Sequence, residues 1–159
     1  MILGTAGFTA AQCVQALVTN GIEPNAGEIV VTGATGGVGS LAVKLLAQLG
    51  YQVIAVTGKE HLTEQLRAWG AKQVIGRAEV LNTQAKPLLS GRWAGAVDTV
   101  GGQTLTTIIR QTRDYGVVAA CGLVGGADLP LTVHPFLLRG VILAGIASAA
   151  LPHDRRLVI

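Results

Sequence analysis

Short apolar runs alternate along this chain with longer stretches whose apolar residues recur every three or four positions. The runs at 29–32, 52–56, 73–75, 94–99, 117–120 and 141–146 read as strands. Apart from the short third run, their interiors are mostly continuous rather than alternating, as expected of strands covered by helices on both faces. Helical spacing fills the intervals at 41–49, 59–69 and 103–110, with a shorter stretch near 135–138 and a leading helix at 9–18. Residues 24–27 and 76–86 read as loops, the second carrying a short helix. Strand and helix in strict alternation predict an α/β fold, a doubly wound parallel sheet of six strands.

Composition agrees with covered strands. Half of the 159 residues are hydrophobic and only 13% are charged, against about a quarter in typical domains. The length corresponds to one domain. Mean hydropathy is +0.51, yet no apolar run reaches the 18 or so residues of a membrane span. The start, Met1-Ile2-Leu3-Gly4, has no basic leader, and Cys13 and Cys121 are the two cysteines. Neither export nor a disulfide framework is expected, which leaves a cytoplasmic, membrane-free protein. The net charge of +3 comes from scattered residues, with Arg155-Arg156 the one adjacent basic pair, so no nucleic-acid partner is expected. A polar, helix-like segment begins at Pro152, close to the last residue, and the leading helix begins close to the first. The expectation is a fragment of something longer.

Directly after the first strand comes Thr32-Gly33-Ala34-Thr35-Gly36-Gly37-Val38-Gly39-Ser40. With Ala34, Gly36 and Gly39 in the three small-residue positions, this is a dinucleotide fingerprint: a tight turn, a close backbone approach to pyrophosphate, and close helix–strand packing. Free N–H groups at the start of the next helix supply the anion affinity. The same residues fit the loop of short-chain dehydrogenases, but Ala55 and Ala119 stand where Tyr51 and Tyr115 would need lysines. No Gly-Lys-Ser/Thr follows, so this is no P-loop.

The end of the second strand selects the nucleotide. An NAD site places a carboxylate there for the ribose 2′-hydroxyl; here the chain reads Val56-Thr57-Gly58-Lys59. A hydroxyl, a glycine N–H and an ammonium suit a 2′-phosphate instead, and Arg77, just past the third strand, is a candidate to clamp the phosphate or to stack on the adenine. The expected cofactor is NADP. On the alternative reading Thr57 caps the next helix, while Lys59 and Arg77 are merely solvated.

With these pieces assembled, the chain resembles the medium-chain dehydrogenase/reductase superfamily, its zinc-free quinone-oxidoreductase-like branch, and within that the acrylyl-CoA reductase group. The segments carrying the resemblance are 4–10, 32–40, 57–59, 98–102, 121–123 and 135–141. It implies that residues 1–159 form an NADP-binding Rossmann domain, a fragment lacking a GroES-like catalytic domain. The implied activity is NADPH-dependent transfer of hydride to an α,β-unsaturated thioester or a quinone. Carried across, the resemblance sets pyrophosphate against Thr35, Gly36, Gly37 and Val38. The 2′-phosphate and adenosine fall to Thr57, Gly58, Lys59 and Arg77. The nicotinamide end falls to the loop at 121–123, chiefly Leu123, and to Leu137. Ser148 is expected to reach the cofactor or a partner subunit, although Ala147 stands where the family usually has aspartate.

Cys13, Cys121, His61, His134 and His153 share no metal-ligand spacing, so no zinc site is expected. No proton donor is identifiable, and catalytic residues remain unassigned; the substrate would meet a missing domain. Asp98-Thr99-Val100-Gly101 reads equally as part of the ligand rim or as a plain strand-to-helix turn. The uncharged sixth strand at a sheet edge predicts pairing with a second copy. A non-catalytic NADP-sensing regulatory module is the competing reading.

Overall fold

The computed structural model describes residues 4–150; the segment beginning at Pro152, with His153, lies outside them. Helix α1 (Gly4–Thr19) leads into β1 (Glu28–Val31), α2 (Gly37–Gln48), β2 (Gln52–Val56), α3 (Thr63–Ala68), β3 (Gln73–Ile75), β4 (Trp93–Asp98), α4 (Gly102–Gln111), β5 (Thr112–Ala120), α5 (His134–Arg139) and β6 (Ile142–Gly145). Short 3-10 turns lie at Glu60–Leu62, Arg77–Val80 and Ser148–Ala150. All pairings among the six strands are parallel, in the order β3-β2-β1-β4-β5-β6. This is the expected doubly wound sheet of a Rossmann fold, reversing direction between β1 and β4.

The apolar strand interiors have a direct cause. Ile29, Val31, Val53, Ala55, Val97, Val117 and Ala119 face one side and pack with Cys13 and Leu17 of α1, Val43 and Leu46 of α2, and Leu66 of α3. The alternate residues Val30, Ile54, Val56, Ala96 and Val118 face the other side and pack with Leu105, Ile108 and Ile109 of α4 and with Trp93. Both faces of the central strands are therefore dry. At the edge the expectation fails: β6 is shorter than its apolar run, and Ile142 is exposed.

Three further boundaries differ from the pattern. The leading helix starts at Gly4 rather than residue 9. The stretch at 59–69 divides into a 3-10 turn and α3, with Leu62 leaving helical geometry at the junction (φ −99°). β5 begins at Thr112, paired to Trp93, and resumes register only at Val117 opposite Gly95. The intervening Arg113, Asp114 and Tyr115 bulge into solvent, with Tyr115 at φ 59°.

Between β3 and β4 the chain runs irregularly from Leu81 to Arg92. Buried Arg110 donates to the carbonyls of Lys86, Asn82 and Gln84, and Arg139 to those of Leu89, Arg110 and Thr112. Two guanidiniums thus satisfy backbone acceptors that a helix would have satisfied internally.

Candidate functional site

The carboxyl ends of β1 through β4 gather at the point where the strand order reverses. The glycine loop turns at Gly33, whose φ of 57° suits a residue without Cβ, and Gly36 N–H closes the turn on the Gly33 carbonyl at 2.8 Å. Gly36 is the N-cap of α2 and brings no capping side chain. By helix geometry the first-turn N–H groups, from Gly37 and Val38 onward, have no intrahelical acceptor. At Gly39 a Cβ would strike the Gly33 carbonyl oxygen and lie 3.0 Å from the Ala34 Cα, so the loop lies directly on the helix.

This loop is tied to the end of β2. Ala34 N–H donates to the Val56 carbonyl (3.1 Å), and the Thr35 and Thr57 hydroxyls lie 3.3 Å apart. The Thr57 hydroxyl also accepts the Lys59 N–H at 3.0 Å. Thr57 therefore fixes its own loop, and the turn beginning at Glu60 has no side-chain cap. Arg77 opens the 3-10 turn after β3 and lays its guanidinium across Gly58: a Cβ there would be 2.7 Å from Nε and 2.8 Å from Cζ. Among the described residues no ion pair engages Arg77 or Lys59.

A cavity of about 240 Å³ lies between these pieces, lined by Thr35, Thr57, Gly58 and Arg77 together with Val80, Val100, Thr104, Val124 and Gly125. Four expected site residues are thus assembled around one space. Gly36, Gly37 and Val38 stand beside it at the start of α2, and Lys59 follows Gly58 on the exposed rim. Leu123 and Leu137 are exposed and do not line the cavity. Ser148 accepts a 2.7 Å hydrogen bond from Thr9 on α1, away from the cavity lining. Val80, Thr104 and Val124 were not foreseen. The available signal for Val124 was an apolar pair bracketed by glycines, Gly122-Leu123-Val124-Gly125-Gly126, too short for a strand.

Asp98 ends β4 fully buried. Its carboxylate accepts from the Thr32 hydroxyl and the Gly101 N–H, both at 2.7 Å. Thr32 in turn accepts the Thr99 N–H at 3.0 Å, and the Thr99 hydroxyl donates to the Thr32 carbonyl. Burial pushes the Asp98 carboxyl up from its ordinary range, against the opposing pull of the donors from Thr32, Gly101 and Val100. Asp98 is a staple between the ends of β1 and β4, as the plain-turn reading has it, while Val100 of the same segment lines the cavity, as the rim reading has it. Past it, Gly125 N–H donates to the Val100 carbonyl (2.7 Å) and Gly101 bridges Gly126, so the loop after β5 leans over the cavity.

Among the described residues no group of three or more His, Cys, Asp or Glu is placed to hold a metal ion, and no helix is long and apolar enough to cross a membrane.

Comparison with known proteins gives this geometry a setting. The family model described as zinc-binding dehydrogenase matches residues 37–159. The Escherichia coli (strain K12) protein AcuI, named a probable acrylyl-CoA reductase, is 54% identical over 98% of this chain and 48% of its own length. The yhdH oxidoreductase of Salmonella enterica, solved in complex with NADP, is 52% identical, with a TM-score of 0.93 over 98% of this chain and 48% of that one. Bacillus subtilis yhfP, solved with NAD bound, is 47% identical, with a TM-score of 0.96 over 99% of this chain and 48% of that one. The chain thus spans about half the length of the relatives it matches.

Proposed function

Because the chain belongs to the zinc-binding dehydrogenase family, we propose that it is the NADP-binding domain of a reductase acting on an α,β-unsaturated thioester of the acrylyl-CoA kind, or on a quinone. The observation that carries the nucleotide choice is Arg77 lying over Gly58 beside Thr57, at a strand end without a carboxylate. A ribose 2′-phosphate there meets a guanidinium, a hydroxyl and the nearby Lys59 ammonium, which favour its charge. One similar structure holds NADP and another NAD, so the choice rests on these residues. The reductase names of the relatives support this reading over a regulatory module.

When bound, NADPH supplies the hydride. The chain's own residues hold and orient it: the N–H groups at the start of α2, around Gly36, Gly37 and Val38, receive the pyrophosphate, with Thr35 alongside. Val80, Val100 and Val124 give the adenosine end apolar walls. Leu123 and Leu137 flank the nicotinamide end, and Ser148 steadies α1 through Thr9. The described residues offer no cradle for the zinc of the family's description, and no step here uses one. Polarising the acceptor carbonyl and protonating its α-carbon fall to the remainder of a reductase about twice this length, which we place in the cytoplasm. Two copies pair through β6, whose outer edge no described strand covers and whose Ile142, like Leu138 of the preceding α5, is exposed; a monomer by sedimentation at micromolar concentration would refute that.

Calorimetric titration with NADPH and NADH tests the nucleotide assignment. NADPH is expected to bind more tightly, and Arg77→Ala to lower its affinity by about 10-fold or more, the range for a hydrogen bond to a charged group, while leaving NADH nearly unchanged. Equal affinity for the two nucleotides in the wild-type chain would overturn it.

A further inference from the structure

A second cavity, of about 640 Å³, opens beside the irregular stretch from Leu81 to Arg92, toward the amino ends of β4 and β5. Its basic lining is Lys86, Arg92 and Arg113. These three cations equal the net charge of the whole chain, so the remaining basic residues are matched in number by carboxylates. Among the described residues neither Lys86 nor Arg113 has an ion pair, and Asp114, next to Arg113 in the chain, makes none with it. Arg92 has one loose pair, 3.9 Å from Glu79, and its guanidinium is held 4.1 Å above the centre of the Trp93 ring.

The placement of Arg113 is built into the chain. The bulge that interrupts β5 takes Arg113 out of the ladder, and Tyr115 within it holds φ 59°, a left-handed torsion that an aromatic residue adopts only at a cost. The Arg113 side chain then lies on two glycines: a Cβ on Gly27 would stand 2.7 Å from a terminal guanidinium nitrogen, and a Cβ on Gly91 would stand 3.3 Å from Cγ. Arg77 lies on Gly58 in the same manner at the nucleotide cavity. The backbone of the lining is also suited to an anion. The carbonyls of Asn82, Gln84, Lys86 and Leu89, acceptors that would repel negative charge, are engaged by the guanidiniums of Arg110 and Arg139. The N–H groups of Ser90 and Gly91 find no acceptor among the described residues.

We propose that this cavity is an anion site for a ligand carrying two or more linked phosphates, separate from the nucleotide site. Two guanidiniums offer planar forks of N–H donors that match phosphate oxygens, and the Lys86 ammonium adds a mobile point charge. A single phosphate group carries about −1.5 to −2, short of the charge on the three side chains, whereas a linked pair or triplet meets it. The volume is within the range of small-ligand pockets, roughly 300–1,000 Å³. Because β4 and β5 begin here while the nucleotide cavity lies where β1 and β4 end, the length of the sheet separates the two sites.

Titrating inorganic tripolyphosphate into the chain at physiological salt, followed by backbone amide resonances in NMR spectra, tests the site without reference to any cofactor. The amides of Ser90, Gly91 and Arg113 should shift together and saturate. Lys86→Ala and Arg113→Ala, both at exposed positions, should each weaken that binding by about 10-fold or more, the range for a hydrogen bond to a charged group. Lys44→Ala, which removes the same charge from above Trp69, and Arg77→Ala should leave it unchanged. Shifts confined to Gly36, Gly37 and Val38 would put the anion at the start of α2 and overturn the proposal, as would the absence of any saturable shift around Ser90. Equal weakening by Lys44→Ala would overturn it too, since it would mean attraction to net charge alone.

Discussion

Substituting Gly58 by alanine separates the fold from the phosphate clamp. The new Cβ would stand 2.7 Å from Arg77 Nε and 2.8 Å from Cζ, whereas ordinary carbon contacts lie at roughly 3.5–4.0 Å. The backbone of Gly58 has no left-handed torsion, so alanine is not strained there; what must give is the exposed end of a long side chain, by about 1 Å. For a guanidinium about 4 Å from a doubly charged phosphate, a 1 Å retreat at an effective dielectric constant of about 20 loses about 1.7 kcal/mol. Screening at the exposed rim reduces this to about 1 kcal/mol, a change of about five-fold in affinity. NADPH affinity measured by calorimetry should fall by about that factor, NADH affinity should hold, and the melting temperature should barely move. Equal losses for both nucleotides would refute the geometry, because they would mean that the substitution had disturbed the loop rather than the guanidinium. An unchanged NADPH affinity alongside a sensitive Arg77→Ala would refute the close approach.

Gly39→Ala should behave in the opposite way, since its Cβ meets the Gly33 carbonyl and the Ala34 Cα rather than a mobile side chain. Overpacking of about 1–3 kcal/mol, only partly offset by better helix propensity, should lower the melting temperature by several degrees in a scanning calorimeter; an unaltered melting temperature would contradict the described packing. Asp98 supplies a pH test. Its carboxyl is raised in the folded state, so its contribution to stability is full below the unfolded value near 4 and declines as pH rises through the raised folded value. Urea unfolding of wild type and Asp98→Asn should show the wild-type advantage widening as pH falls from 7 toward that range, and a narrowing advantage would refute the direction.

The six strands were legible because each central residue is covered by one helix layer or the other, so burial on both faces writes itself as an unbroken apolar run. The glycine loop was legible because its small residues answer contacts only a few positions away: Gly39 touches Gly33 and Ala34. Other parts lacked any local signature. Thr112 pairs with Trp93 across a bulge of polar residues, and nothing in Arg113-Asp114-Tyr115 announces a strand on either side. The cavity residues Val80, Thr104 and Val124 come from three separate turns and share only the point where the sheet reverses. Leu62 marks a similar limit, since the division of the 59–69 stretch keeps its apolar spacing while the backbone changes winding.

The segment from Leu81 to Arg92 has its own implication. Its order is imposed from outside, through carbonyl oxygens that every amino acid carries, by Arg110 and Arg139. Apart from Asn82, whose side chain accepts the Gln84 N–H, and Arg92, which lies over the Trp93 ring, side-chain identity within it is therefore open to drift as far as folding is concerned, whereas the two arginines, distant in sequence, are not. In a saturation scan this stretch should appear as a permissive window whose tolerance vanishes once either guanidinium is replaced, a dependence that no inspection of the window alone would reveal.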